Sequence, residues 1–476
     1  MDTVNLAILG SGSTAFAAAT RAAELGKSVL MTERRTVGGT CVSRGCLPSK
    51  NLIAAADLVY NARHPRYPGL GSCEPAVDFP ALIQQKDEVV EDYRSRKYLS
   101  LTQHEALVSI SEGDARLLDA HTIEVDGQQV SGDHVLIATG SRPAVAPIEG
   151  LDRVPYLTSD LLTVNEDGEL KELPPSLVIV GAGYIALELG QMFHRLGTKV
   201  TILGRNSRLL PREEPEIGEE LAGLLLAEGL DLRLGTSATR LSPAGDGVRA
   251  EASGPNGEVS IEAARLLVAT GRRPNTDGIG LEEAGVKIAG DGAVAVDEFF
   301  QTSVAGVYAA GDVVGEQFGA QAATPVGAHD GAVIAQNLFG VGDARRADHA
   351  VIPRTIFTDP PVATVGLTDE EANRRGFVCS CSAVKMEHVP RAGAVRDTRG
   401  VIKMVIEAES HKVLGVHVLG RSAGEIIHEA AMGIRLGATN DDFIDMVHVY
   451  PTMAEALKLV ALSFYKDISN LSCCAE

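Results

Sequence analysis

The sequence contains no tryptophan, and only 4% of its 476 residues are aromatic. Lysine is scarce as well, with 12 copies against 31 arginines. The 43 basic residues are outnumbered by 63 acidic ones, a formal net charge of −20. No Lys/Arg run is present, which argues against a nucleic-acid binder, since such a protein needs basic patches to neutralise phosphate. No stretch of about 18 uncharged apolar residues occurs, so no membrane span is expected. The opening Met1-Asp2-Thr3-Val4-Asn5 lacks the basic region of a secretory leader and runs straight into a strand pattern. Cysteine is sparse, and its 7 copies, at 41, 46, 73, 379, 381, 473 and 474, are clustered and odd in number. That pattern points to thiol chemistry in a cytoplasmic protein and away from structural bridges.

What is present describes a large folded chain. Apolar residues make up 45% and charged residues 22%, and 50 glycines imply many tight turns. At roughly 150 residues per domain, about three domains are expected. Two segments repeat one pattern. Asn5-Leu6-Ala7-Ile8-Leu9 leads into Gly10-Ser11-Gly12-Ser13-Thr14-Ala15, and Ser176-Leu177-Val178-Ile179-Val180 leads into Gly181-Ala182-Gly183-Tyr184-Ile185-Ala186. Each is an apolar strand, a G-x-G-x-x-A turn and an apolar helix, followed by a second strand at 28–32 and at 199–203. Such a unit sets a helix N-terminus against a pyrophosphate, with glycine permitting close backbone approach. Two complete copies imply two dinucleotide sites.

A second repeat pairs Val135-Leu136-Ile137-Ala138-Thr139-Gly140-Ser141-Arg142-Pro143 with Leu266-Leu267-Val268-Ala269-Thr270-Gly271-Arg272-Arg273-Pro274. Each is a strand ending in Ala-Thr-Gly and then proline, a point where the chain can leave one domain for the next. Beyond about residue 345 alternating strands, 400–407 and 413–419, flank helices at 423–436 and 453–462, a separate α+β pattern. The expected division is 1–150 for the first dinucleotide domain, 151–275 for the second, 276–345 for a return to the first, and 346–476 for the last.

The acidic residue about 20 positions past the glycine motif normally holds the ribose hydroxyls. Glu33 stands there in the first copy. The matching offset in the second copy is Gly204, followed by Arg205, with Arg208 close behind. A carboxylate would repel a 2′-phosphate, whereas a guanidinium pairs with it. The first site is therefore assigned to FAD and the second to NADPH.

The most informative stretch is Gly38-Gly39-Thr40-Cys41-Val42-Ser43-Arg44-Gly45-Cys46-Leu47-Pro48-Ser49-Lys50, opening a helix that runs to about Arg63. Two thiols at this spacing can bridge to each other, and a helix N-terminus favours thiolate. Held against a flavin ring, such a pair can accept two electrons, and Lys50 can stabilise the reduced flavin. The stretch resembles the class I flavin-linked pyridine nucleotide-disulfide oxidoreductases, the family of dihydrolipoamide dehydrogenase and glutathione reductase, and the resemblance covers nearly the whole chain. It implies an α/β fold of glutathione reductase type: two Rossmann-like dinucleotide-binding domains plus a C-terminal α+β dimerisation domain. It implies further that Cys41 exchanges with substrate, that Cys46 contacts the flavin, and that Lys50 pairs with Glu188. Asp312 would meet the ribityl chain and Tyr184 would gate the nicotinamide pocket. FAD contacts are expected from Gly10, Gly12, Ala15, Glu33, Gly39, Thr40, Thr139 and Gly140, and NADPH contacts from Gly181, Gly183, Ala186, Arg205, Arg208 and Gly271. Ser43-Arg44 departs from the usual Asn-Val and adds a charge beside the thiols.

Two further departures bear on the substrate. Disulfide-reducing members carry His-Pro-Thr and a downstream Glu, the His protonating the leaving thiolate. Here the segment reads His448-Val449-Tyr450-Pro451-Thr452-Met453-Ala454-Glu455, with Tyr450 in the His position and Glu455 kept. A phenol with pKa near ~10 is a poor proton shuttle at neutral pH, so a lipoamide- or glutathione-type disulfide reductase is the lesser alternative. The chain also ends Cys473-Cys474-Ala475-Glu476. Adjacent cysteines bridge each other only with strain, yet suit a soft cation. Together these features point to Hg(II) as substrate. It would be carried in by small thiols and held for reduction by Cys41 and Cys46, and the family resemblance, with its site across a two-fold dimer, implies capture by Cys473 and Cys474 of the neighbouring subunit together with Tyr450.

Other residues are set aside. Cys379-Ser380-Cys381 places two thiols on one face of a strand and is read as a buried structural pair, since no third ligand is near. Glu213-Glu214 and Asp369-Glu370-Glu371 read as solvated helix starts. Cys73 has no assigned role, and His388 reads as a surface-loop residue.

Overall fold

A computed structural model describes residues 2–164, 168–319 and 322–470. Cys473 and Cys474 lie outside them. The first copy of the glycine motif builds the centre of a seven-stranded sheet. Strand β1 (Asp2–Leu9) is flanked by β2 (Val29–Glu33) and β6 (Gln128–Ile137), both parallel to it, with Leu6 opposite Val29 and His134. Strand β3 (Val108–Glu112) extends one edge in parallel, and β5 (Thr122–Val125) and β4 (Ala115–Leu117) extend the other antiparallel. Leu6, Ala7, Ile8 and Leu9 are all buried, as a strand covered on both faces requires.

Helix α1 (Ser13–Glu24) joins β1 to β2. Its buried side is nearly all alanine: Ala15, Ala18, Ala19 and Ala22. That smooth surface lets α8 (Thr324–Phe339) approach so closely that a Cβ at Gly331 would fall 2.2 Å from the Thr14 carbonyl oxygen. Between them in the chain come α2 (Gly39–Ser43), α3 (Cys46–Arg63), α4 (Phe79–Arg94) and α5 (Ser100–His104).

The chain leaves this unit through β7 (Ser141–Pro143). The second motif then forms a four-stranded parallel sheet from β8 (Ser176–Val180), β9 (Lys199–Gly204), β10 (Asp231–Leu234) and β14 (Arg265–Val268), in the order β10-β9-β8-β14. Helix α6 (Tyr184–Leu196) crosses from β8 to β9, and α7 (Pro215–Glu228) from β9 to β10. An antiparallel three-stranded sheet, β11 (Ser237–Ala244), β12 (Gly247–Gly254) and β13 (Gly257–Ala263), is inserted before β14. The return is through β15 (Arg272–Pro274), which pairs antiparallel with β7, Arg272 opposite Pro143 and Pro274 opposite Ser141. Strand β16 (Val307–Ala309) rejoins the first sheet beside β6.

The C-terminal unit is a five-stranded antiparallel sheet, β17 (Arg354–Ile356), β18 (Val362–Gly366), β21 (Val413–Leu419), β20 (Val401–Glu407) and β19 (Cys379–Lys385), in that order. Alternation sends Met404, Ile406, Val416 and Val418 to one face, where they pack with Ile427 and Ala430 of α11 (Ala423–Leu436) and Leu457 and Val460 of α13 (Glu455–Leu462). Short helices α9 (Asp369–Arg374), α10 (Pro390–Ala394) and α12 (Asn440–Asp445) complete it. Among the described residues no helix is long and apolar enough to cross a membrane.

Candidate active site

The two glycine motifs adopt the same local geometry. Gly10 and Gly181 have φ of +112° and +111°, a region closed to most side chains. A Cβ would lie 2.4 Å from the Ala138 carbonyl oxygen in the first copy and 2.3 Å from that of Ala269 in the second. The Ala-Thr-Gly segments that repeat in the sequence are thus the surfaces on which the two turns close. At Gly12 and Gly183, the residues preceding α1 and α6, a Cβ would meet nothing within 4 Å. Each helix therefore presents bare backbone N–H groups to open space, which fits an anionic pyrophosphate.

Past the motifs the copies diverge. Glu33 ends β2, its Oε2 accepting the Ser11 hydroxyl at 2.6 Å and its Oε1 the Arg35 backbone N–H at 2.8 Å. Ser11 thereby anchors the carboxylate to the glycine turn. In the second copy Gly204 ends β9, where a Cβ would lie 2.9 Å from that of Ala182, so the position is tight as well as uncharged. Arg205 is exposed, whereas Arg208 turns inward and donates to the Pro211 carbonyl at 2.8 Å. Arg205 is the freer of the two guanidiniums for an added phosphate.

One cleft is lined by the first motif, Glu33, Gly39, Thr40, Cys41, Cys46, Lys50, Thr139, Gly140 and Asp312, together with Tyr184, Ile185 and Glu188 from the start of α6. Cys41 sits on α2 and Cys46 is the first residue of α3, with both thiols free. The Cys41 thiol donates to the Cys46 sulfur. That hydrogen bond holds Cys46 down to about 6, helped by Lys50 and Thr324, against the opposing effect of burial. The same bond, with burial, drives Cys41 upward. The pair therefore gives up its first proton near neutrality and keeps the second on Cys41. Helix-terminus reasoning expected both thiols to be acidified; the mutual hydrogen bond splits them. Arg44 is buried and lines the cleft, but Lys50 is the cation among the main influences on the thiols.

Lys50 Nζ donates to Glu188 Oε2 at 2.7 Å and lies 4.6 Å from the centre of the Phe357 ring. Glu188 is buried, and its Oε1 accepts the Phe357 backbone N–H at 2.8 Å. This carboxylate thus links three parts of the chain: α3, α6 and the Phe357-Thr358-Asp359-Pro360 turn. Tyr184 opens α6 and is 46% exposed, its ring free to face an incoming ligand. Asp312 Oδ2 accepts the Ser141 hydroxyl at 2.6 Å, and Ser141 Oγ in turn accepts Arg272 Nε at 2.8 Å, so the β7–β15 ribbon positions the carboxylate. Thr324, first residue of α8, lies with its Oγ1 3.9 Å from the Cys46 sulfur. Sequence reasoning missed it, although Thr324-Pro325 is a readable helix start.

Tyr450 and Glu455 do not line this cleft. Tyr450 is half exposed, and Glu455 Oε2 accepts the Thr452 backbone N–H at 3.1 Å. His448 is engaged by Glu429, Nε2 to Oε1 at 3.0 Å. The neighbouring Pro451–Ala454 stretch borders a separate groove with Arg391, Arg421 and Glu425.

Two expectations are corrected. Cys379 and Cys381 are only half-buried, and a third potential ligand is at hand: Asp369 Oδ1 lies 2.9 Å from the Cys379 sulfur. Sequence distance hid the contact, since the first turn of α9 folds back over β19. Glu214 is not a solvated helix start. It is buried, accepting Lys403 Nζ at 2.7 Å and the Asp369 backbone N–H at 2.7 Å.

Comparison with known proteins agrees with this geometry. Residues 4–332 match the family model "Pyridine nucleotide-disulphide oxidoreductase", and residues 352–461 match the dimerisation domain of the same family. The chain belongs to the pyridine nucleotide-disulphide oxidoreductase family. It is an α/β flavin- and pyridine nucleotide-linked oxidoreductase of class I, built as a homodimer. It is 42% identical to a mercuric reductase of Lysinibacillus sphaericus, over 100% of this chain and 85% of that one. It is 43% identical to a mercuric reductase of Streptomyces lividans, covering 99% and 98%. Among solved structures it resembles the HOCl-induced flavoprotein disulfide reductase RclA from Escherichia coli, with TM-score 0.85 and 30% identity, covering 97% of this chain and 100% of that one.

Proposed function

We propose that the protein reduces Hg(II) to Hg(0) with electrons from NADPH, detoxifying mercury in the cytoplasm. The observation that carries the reading is the Cys41–Cys46 pair with Cys46 acidified, combined with Tyr450 where disulfide reductases keep a proton-donating His. His448, two residues before Tyr450, is occupied by Glu429. Disulfide reduction must protonate a leaving thiolate, whereas ligand exchange on Hg(II) needs thiolates and no such acid. Full-length similarity to mercuric reductases supports the same reading.

Gly10, Gly12, Ala15, Glu33, Gly39, Thr40, Thr139, Gly140 and Asp312 would hold FAD. Gly181, Gly183, Ala186, Arg205, Arg208 and Gly271 would hold NADPH, the 2′-phosphate falling to Arg205. Bound flavin supplies the two-electron link between the nicotinamide and the cysteine pair. Tyr184 covers the nicotinamide pocket, and Lys50, fixed by Glu188, keeps negative charge favourable beside Cys46. Cys41 displaces one thiol from a Hg(II) dithiolate, and Cys46 displaces the second. The balance is one Hg(II) dithiolate, one NADPH and one proton giving Hg(0), NADP⁺ and two thiols. Delivery falls to Cys473 of the partner subunit and Cys474 of the partner subunit, with Tyr450 of the partner subunit beside the substrate.

The test is NADPH oxidation with and without Hg(II) in excess small thiol, run beside lipoamide and oxidised glutathione. Hg(II)-dependent turnover, abolished by Cys41→Ala, is expected. Turnover of a disulfide but not of Hg(II), or normal Hg(II) turnover in Cys41→Ala, would overturn the proposal.

A further inference from the structure

A second group of sulfur ligands lies outside the redox cleft. Cys379 and Cys381 are two residues apart on β19, opposite Glu407 and Val405 of β20, so both side chains leave the same face of the sheet. That face is opposite the one packed by α11 and α13. The chain reverses between β18 and β19 through α9, and this brings Asp369 over the two thiols. The two sulfurs and a carboxylate oxygen of Asp369 all lie within 4.8 Å of one another. None of the three side chains has a role in the reaction above.

As free groups they are poorly matched. Burial and the charge of Asp369 push Cys379 upward and Cys381 up to about 12, because a second and third negative charge would crowd the first. As ligands the three atoms lie close enough together to share one ion.

We infer that Cys379, Cys381 and Asp369 form a structural site for one thiophilic divalent cation of the Zn(II), Cd(II) and Hg(II) class. Two sulfurs and one oxygen disfavour Mg(II) and Ca(II), which take all-oxygen shells. They suit a borderline or soft d¹⁰ ion with a fourth position left to solvent. Binding converts two thiols and one cation into a dithiolate complex and releases two protons. The ion would clasp α9 to β19. Because the Asp369 backbone N–H donates to Glu214, which immediately precedes α7, the clasp would also fasten the C-terminal sheet to the second dinucleotide unit.

The experiment uses oxidised holoenzyme, in which Cys41 and Cys46 are bridged, carrying Cys73→Ser, Cys473→Ser and Cys474→Ser. Cd(II) is the probe, followed by thiolate-to-metal ultraviolet absorption, with Zn(II) and Hg(II) as parallel arms. One equivalent of Cd(II) per chain, release of two protons and a rise in Tm are expected. Cys379→Ser/Cys381→Ser should lose all three signals while keeping flavin absorbance and dimeric size. Asp369→Asn should weaken binding on the order of tenfold, a reading that stands even where the double variant folds poorly. Absence of stoichiometric Cd(II) binding, or binding unchanged in either variant, would overturn the site. Failure here leaves the Hg(II)-reductase reading untouched, since the redox cysteines do not contribute.

Discussion

Cys46 concentrates at one atom what the surrounding elements supply: the Cys41 hydrogen bond, the Lys50 charge and the Thr324 hydroxyl. Because its pKa is depressed, the thiolate is present above about pH 6 and lost as pH falls through that value. Alkylation of the reduced enzyme by iodoacetamide should therefore be near its plateau at neutrality, fall to half of it at about pH 6 and drop about tenfold per pH unit below. Cys41→Ala removes the leading influence, and Cys46 should then alkylate about tenfold more slowly at neutral pH. Mass mapping of the modified cysteine checks this. That Cys41 and Cys46 meet in one cleft was legible because thirteen consecutive residues carry them. The division of labour within it was not, since it depends on which thiol donates to the other and on Thr324, far away in sequence.

At the scale of elements, buried charge joins what apolar packing alone would leave free to slide. Arg195 of α6 is buried and bonds Glu228 of α7 at 2.5 Å, Asp57 of α3 at 2.6 Å and Asp359 at 2.9 Å. Arg195→Met leaves the buried Glu228 carboxylate without its cation, while Asp359 keeps Arg399; the change should cost about 3–5 kcal/mol in urea unfolding, with Glu228→Leu added in the same chain recovering part of the loss. A second lock is Asp330 of α8, which binds His349 Nε2 at 2.9 Å and so secures the segment leading to the C-terminal unit. That hydrogen bond raises the His349 pKa above 6.5, so folding takes up a proton there. The stabilisation is complete below 6.5 and is lost as pH rises through the folded-state value. The urea midpoint of the native protein should fall over that range relative to Asp330→Asn, whose profile should be flatter. Strands and helices were legible from periodicity and from glycine and proline punctuation: the strand at 413–419 and the helix at 423–436 appear where the pattern puts them. These ionic locks were not, because their members are scattered from residue 57 to residue 359 and no local pattern links them.

At the scale of the molecule, one chain carries Cys41 and Cys46 in one cleft and the Tyr450 segment beside another groove. Val447 and Val449, next to Tyr450, are 91% and 76% exposed, and Leu436 of α11 is 77% exposed. Apolar surface of this kind on a family dimerisation domain is the expected contact with a second copy. Val447→Asp/Leu436→Asp should yield monomers in size-exclusion chromatography. Those monomers should retain flavin absorbance and the alkylation profile of Cys46 but lose Hg(II)-dependent NADPH oxidation. An intact rate in the monomer would place every essential group in one chain. The sequence signalled such sharing only through the family resemblance, because a contact between copies leaves no periodicity within either.

The ribbon of β7 and β15 has a consequence for how this molecule can be rebuilt. Ser141 and Pro274 stand opposite each other, so the 132 intervening residues start and finish at adjacent points. That stretch is wired like a cartridge in a socket, entering and leaving at one ribbon while Glu188 and Arg195 seat it against the body around it. A homologous stretch that keeps Tyr184, Glu188 and Arg195 but carries a carboxylate in place of Gly204 should plug into the same two strands and switch coenzyme preference towards NADH, with the chemistry at the sulfurs unaltered.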